Sequence, residues 1–545
     1  MLPLYPQPCP AAANSNARAV RQAAIWPVLL AAPGCRYRGA DYNGSLELKT
    51  SPPAAKSIII MTILVLDIGS SSARALLFSD QIEPIPDAAA SAGYHLTTKP
   101  DGAATLDAAA LQTHVETCLD AVMLHPAARD IQVVGLATLA GNMLGVDAAG
   151  EPLTPIYTYA DTRSAEDVAF LKTAVDAVSK HQRTGCPVHT AYHPGRLHWL
   201  RRTDPALFAQ VVTWLDFGTY LYRRWFGQAA CSFSMASWSG LLNRSDLTWH
   251  QQWLWALDID ESILPPLADY SDMQSGLLPV YAARWPALRD VPFCLAVGDG
   301  AAANVGSGCV DESRIALTVG TTAALRVISG EILPHVPDGL WGYRVDALYH
   351  LIGGATSEGG NIYHWARETL RLEGSLEEAL MQRTPDSHGL TFLPLLAGER
   401  SPGWAADAAG AITGLRLSTT PLDIAQAALE GVALRLAAVA DQLMPLAGPD
   451  AAVSGGGGAL RRSPAWASII ANALGRPLHL LDESEITARG TAILALRALG
   501  RCGLADFPPR FAYTIEPVPA IVDILQAARE RQARLYEQTI GDGAG

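Results

Sequence analysis

The chain contains no Cys-x-x-Cys pair, and its eight cysteines are scattered from Cys9 to Cys502. A zinc ribbon and a disulfide framework are therefore not indicated, and reduced thiols in a cytoplasmic protein are expected. No apolar run is long enough to cross a bilayer, so no membrane partner is expected. Basic charge is also short: the formal net charge is -13. That balance argues against general nucleic-acid binding, which rests on basic patches that neutralise phosphates. Charged residues make up only 17% and apolar residues 49%, a globular rather than a disordered composition. At 545 residues, one core is too few and two domains are the natural expectation.

The most informative segment runs from Ile63 to Phe78, ILVLDIGSSSARALLF. Two apolar strands flank a turn of Asp67, Gly69, Ser70, Ser71, Ser72 and Arg74. Such a turn offers backbone N–H groups and hydroxyls to phosphate, and a carboxylate to a metal ion. Met61 stands directly before it. Residues 1–60 are rich in Pro, Ala and Arg and lack periodicity, so a disordered or mis-called extension is expected, with a targeting peptide as the alternative.

Further along, Asp107 to Met123 carries apolar residues at helical spacing, and Ile131 to Ala137 reads as a buried strand. The aromatic and basic stretch from Pro194 to Trp225 reads as core helix with arginine stems at the surface. Near residue 291 a second cycle begins. A strand is expected over 292–297, a turn at Gly298-Asp299-Gly300, and a small-residue helix from Ala301. A strand over 315–319 then ends in Gly320-Thr321-Thr322 and is followed by another strand. The strand–turn–strand unit thus occurs twice. A long helix is expected over 421–446. Gly455 to Gly458 lies between a strand and a helix from Ser463, and a strand over 478–481 and a small-residue helix over 488–499 follow.

Four of these segments together resemble the FGGY carbohydrate kinases of the actin-like and hexokinase-like ATPase superfamily. They are LDIGSSSARALLF (66–78), VGDGAAANVGSG (297–308), GAITGLRLSTTPLDIAQAALEG (410–431) and SGGGGALRRSPAWASIIANALGRPL (454–478). YADTR (159–163) and Thr184-Gly185-Cys186-Pro187 add to the match. The resemblance implies an α/β fold of two ribonuclease H-like domains flanking a central cleft. It places a sugar-binding domain at 61–308, a nucleotide-binding domain at 309–505 and a helical tail at 506–545. It also implies ATP and Mg2+ as donor and ion, a small sugar or sugar acid as acceptor, and a homodimer as the one protein partner allowed.

On this resemblance, Asp299 is the general base and, with Asp67, a magnesium-side carboxylate. Gly69, Ser70, Ser71, Ser72 and Arg74 face the phosphates, with Gly320, Thr321 and Thr322 opposite. Gly456, Gly457 and Gly458 let backbone approach the adenosine. Asn142, Asp161, Arg163 and Gly300 are the expected acceptor contacts. Relatives carry an aromatic–His pair where this chain has Ala140 and Gly141. The wording of YADTR and SPGWAADAAGAITGL is most similar to gluconate-type members, with xylulose, ribulose or glycerol as alternative acceptors. An inactive sugar-binding regulator on the same fold is the alternative class.

Overall fold

The computed structural model describes residues 61–541; the expected extension over 1–60 lies outside them. The first sheet is built from β1 (Thr62–Ile68), β2 (Ser72–Ser79) and β3 (Pro84–Gly93), which form an antiparallel meander. Helix α1 (Ala108–Val122) packs on β2 and β3, with Asp107 capping its N-terminus. Strands β4 (Ile131–Thr138) and β5 (Val297–Gly298) then run parallel to β1, giving the order β5-β4-β1-β2-β3. Every residue of β1 is buried, as expected of a strand covered on both faces. Helix α2 (Asp299–Gly306) starts directly where β5 ends.

The second sheet repeats this plan. Strands β6 (Arg314–Val319), β7 (Ala323–Ser329), β8 (Trp341–Arg344) and β9 (His350–Thr356) pair antiparallel in the order β8-β9-β7-β6. After helices α3 (Gly360–Thr369) and α4 (Pro421–Leu443), strand β10 (Ala452–Gly456) adds parallel to β6. Helices α5 (Gly458–Arg462) and α6 (Pro464–Leu474) lead to β11 (Leu478–Leu481), parallel to β10. Each sheet therefore has a central first strand with antiparallel strands on one side and two parallel strands next to it on the other.

Helix α7 (Ile486–Ala498) belongs to the second half of the chain yet packs on β1 and β4 of the first sheet. It crosses α2 at two glycines. A Cβ on Gly490 would fall 1.8 Å from the Ala302 carbonyl oxygen, and one on Gly306 would fall 1.9 Å from that of Ile486. Only glycine permits so close a crossing. The helix that begins with Asp299 is thereby locked to a helix of the other half.

Three local expectations need correction. The segment over 292–297 is regular strand only at its end, because Phe293 turns its N–H to Gln274 while Pro292 and Cys294 bond Val134. Gly298-Asp299-Gly300 is not a free turn: Gly298 caps the helix and Asp299 is its first residue. The tail past 506 is not wholly helical, since β12 (Phe511–Ile515) closes the second sheet beside β11 before α8 (Pro519–Thr539) begins. Among the described residues no helix is long and apolar enough to cross a membrane, and the six described cysteines are all free.

Candidate active site

The parallel strands bring their C-terminal ends together, and the polar turns follow from there. Ile68 is in register with Thr138, and Thr138 with Gly298. Asp67, near the end of β1, and Asp299, just past the end of β5, thus lie at the same edge of the sheet, on either side of β4. In open α/β sheets ligands bind at that edge. The second sheet presents its Gly320 and Gly457 turns from the ends of β6 and β10, which are in register at Thr318 and Gly456.

Between the two sheets lies a cavity of about 190 Å³. The first half contributes Tyr159, Tyr192, Trp238, Asp299 and Gly300; the second contributes Arg326, Trp341, Tyr343 and Arg400. The aromatic wall is tightly built. Tyr343 stacks on Trp238 and on Trp341 with ring centres 3.8 and 4.1 Å apart, and its hydroxyl lies 2.6 Å from that of Tyr192. Burial raises the Asp299 carboxyl above the usual carboxylate range. The Arg326 guanidinium, the N–H groups of Gly300 and Ala140, and Arg400 pull it back.

Two guanidinium groups in one small cavity are costly without anionic partners. Arg326 donates from Nη1 to Thr318 Oγ1 at 3.2 Å, and burial lowers its pKa to about 10, against the raising influence of Asp299. Arg400 lies over the Tyr159 ring at 5.5 Å. The Nε atoms of both arginines are buried and, among the described residues, have no hydrogen-bond partner. Buried donors without partners point to a ligand that accepts from them.

At the other end, Asp67 is 2% exposed and faces Arg74 across the β1–β2 hairpin. Arg74 bridges Asp67 and Glu485. Burial pushes the Asp67 pKa up to about 6, assisted by the negative charges of Asp299 and Glu485 and opposed by Arg74. The serine turn is held by Gly69 N–H donating to Ser72 O at 2.9 Å and by the Tyr94 hydroxyl donating to Gly69 O at 2.5 Å. Ser71 is exposed and Ser70 and Ser72 are half-buried. Opposite, Gly320 and Thr321 are exposed, Thr322 lines the cavity, and the first N–H groups of α3 donate to the carbonyls of Gly320 and Thr321.

Three expected contacts are placed differently. Asn142 is 1% exposed: its amide donates to Leu139 O at 2.6 Å and accepts from Phe217 N–H at 2.7 Å. It fixes the loop after β4 and does not line the cavity. Asp161 and Arg163 pair with each other, Asp161 accepts from Ala104 N–H, and the Arg163 guanidinium stacks 4.6 Å over Trp199. Both are occupied in a structural cluster outside the cavity. Gly457 adopts φ 103°, and a Cβ there would fall 2.4 Å from the Val319 carbonyl oxygen. Its missing side chain first serves the packing of β10 against β6. The acids of the 410–431 segment are also structural. Asp423 closes a capping box with Thr420, and Glu430 accepts from Asp386 N–H, Gln426 and His388.

The residues not expected are Arg326, Arg400 and the aromatic wall. Arg326 had a signal: it is the lone charge in the apolar strand AALRVIS. The aromatics come from separate segments, so nothing local marks them.

The family comparisons agree with this architecture. The model of the FGGY family of carbohydrate kinases, N-terminal domain, matches residues 62–306, and that of the C-terminal domain matches residues 315–499. A gluconokinase of Bacillus subtilis (strain 168) is 26% identical over 460 residues, covering 82% of this chain and 89% of the relative. Among solved structures, a gluconate kinase from Lactobacillus acidophilus superposes with a TM-score of 0.80 at 25% identity, over 88% of this chain and 98% of the other. A ligand-bound xylulose kinase from the same organism gives 0.82 at 24% identity, over 88% and 99%. The chain belongs to the FGGY family of carbohydrate kinases and has that family's two-domain fold; membership implies ATP as phosphoryl donor and a small sugar-type acceptor.

Proposed function

We propose that this carbohydrate kinase transfers the γ-phosphoryl group of ATP to a hydroxyl of a sugar acid, with gluconate the best candidate. The observation that carries the reading is the pair of half-buried arginines, Arg326 and Arg400, whose buried Nε atoms have no partner among the described residues, in the cavity that holds Asp299. A planar carboxylate answers such donors, accepting two parallel N–H bonds from one guanidinium. With a neutral polyol the two guanidinium groups of the cavity would share the one carboxylate of Asp299, whereas a sugar acid supplies a second anion. The similarity to gluconokinases supports the same acceptor.

In this reading Asp299 accepts the proton of the attacking hydroxyl. Arg326 opposes the effect of burial and favours the ionised carboxyl, the form a base requires. The aromatic wall presents a flat apolar surface to the carbon chain and excludes water from the transferred group. The Gly69–Ser72 and Gly320–Thr322 turns hold the phosphates from opposite sides, and the Gly456–Gly458 turn and the start of α5 lie beside the adenosine. Magnesium prefers hard oxygen donors and retains several waters. The buried carboxylate of Asp67, with Glu485 and Asp299 adding negative charge, fits it, and once bound the ion neutralises charge on the phosphates. Arg74 holds Asp67 in place and reaches the phosphates only by leaving that pair.

An ADP-release assay with gluconate, xylulose, ribulose and glycerol tests the proposal. Magnesium-dependent turnover with the highest kcat/KM for gluconate is expected. Turnover of none of the four would overturn these acceptor classes.

A further inference from the structure

Arg400 reaches the cavity from a short loop, and that loop is held from an unexpected direction. Its ends are tied together: Glu399 N–H donates to Ala405 O at 2.9 Å and Trp404 N–H to Arg400 O at 2.7 Å. Ser401 N–H fastens it to Ala355 O of β9 at 3.0 Å. The residue beside Arg400, Glu399, is 2% exposed, and both of its carboxylate oxygens are occupied. Oε1 pairs with Arg435 of α4, and Oε2 accepts the Tyr536 hydroxyl of α8 at 2.5 Å. The Arg435 guanidinium lies 4.7 Å over the Tyr536 ring, so the three side chains form one unit. The loop fits this unit closely, because a Cβ on Gly403 would fall 2.0 Å from the Tyr536 hydroxyl.

Helix α8 lies beyond the residues matched by the family's C-terminal model, which end at 499. It is anchored independently of the loop. Gln532 donates to the carbonyls of Phe392 and Gly431, and Arg531 pairs with Asp386. A rigid helix therefore projects one hydroxyl onto the residue that precedes a cavity arginine.

We infer that Tyr536 is a positioning residue for the acceptor: through Glu399 it sets the depth at which Arg400 enters the cavity, so the C-terminal helix is part of the acceptor-selecting apparatus. This rests on the sugar-acid reading of the cavity. Tyr536 touches neither substrate, and its effect belongs to acceptor affinity. Hydrogen bonds to charged groups contribute enough to move an affinity about tenfold.

A double-mutant cycle tests it, using Tyr536→Phe and Arg400→Gln in the full chain with gluconate and ATP. Tyr536→Phe is expected to raise KM for gluconate roughly tenfold, with kcat within about twofold and KM for ATP unchanged. In the Arg400→Gln background the same substitution is expected to add nothing, since the two act along one path. Additive effects, or an equal rise in both KM values with a lowered Tm, would overturn the inference and leave α8 a purely structural brace. Glu399→Gln gives a second reading, because it keeps the Tyr536 bond and loses the Arg435 charge pair. It is expected to show the same gluconate-only KM rise, and an unchanged gluconate KM there would also count against the path. If the wild type phosphorylates xylulose but not gluconate, the sugar-acid reading fails alone. The cycle is then run on xylulose, where additivity would overturn the positioning role and non-additivity would uphold it.

Discussion

Asp299 sits between two opposing influences, burial that favours its protonated form and the Arg326 guanidinium that favours the anion. Asp299→Asn removes the proposed base and keeps the shape. We expect kcat to fall roughly 10²- to 10⁴-fold, with KM for gluconate changed little, in steady-state assays. Acid should also switch the enzyme off early. Asp67 stands at about 6 and loses its charge as pH falls from neutrality, and Asp299 is raised above the usual carboxylate range. The acidic limb of kcat/KM is expected above the usual carboxylate range, and Arg326→Gln should move the part set by Asp299 upward, because the cation that opposes its protonation is gone. For stability the sign is reversed. A carboxyl raised in the folded state favours folding at low pH and loses that support as pH rises through about 6. Asp67→Asn should therefore raise Tm more at pH 7.5 than at pH 4.5. At this scale the sequence marks Asp67 and Asp299, because strand-end acids beside glycine are conspicuous. It misplaces Asn142, Asp161 and Arg163, whose polar atoms are consumed by backbone and neighbours brought from distant segments.

At the scale of elements, the hairpin turns and the long helix over 421–443 follow from local pattern, since their apolar spacing and their caps lie within a few residues of each other. The irregular strand over 292–297 does not, because its hydrogen bonds go to Gln274 and Val134. The crossing of α2 and α7 is likewise invisible in one dimension, although the glycines that permit it are plain to see. Gly490→Ala would force the helices apart, and overpacking of this kind costs about 1–3 kcal/mol. A lower Tm is expected by calorimetry. So is a loss of kcat larger than that of a surface Ala substitution, since the helix that shifts begins with Asp299. An unchanged Tm would show that the crossing has room to spare.

At the scale of the molecule, the proposed acceptor site lies between two sheets of the same plan, and the cavity is lined from both. Phosphoryl transfer needs water excluded from that space. Small-angle scattering should show a smaller radius of gyration with gluconate and a non-hydrolysable ATP analogue than with either alone. In the proposed function the charge of the cavity decides what is accepted. Gluconate and glucitol differ in having a carboxylate or a hydroxymethyl group at one end, so the pair isolates that charge. The most direct measurement is the ratio of kcat/KM for gluconate to that for glucitol, in the wild type and in Arg326→Gln. The expected result is a wild-type ratio above about 100 that collapses at least tenfold in the variant, the scale of a charged hydrogen bond. Equal use of both compounds by the wild type, or a ratio untouched by the substitution, would contradict the assignment of the two arginines to a sugar-acid carboxylate.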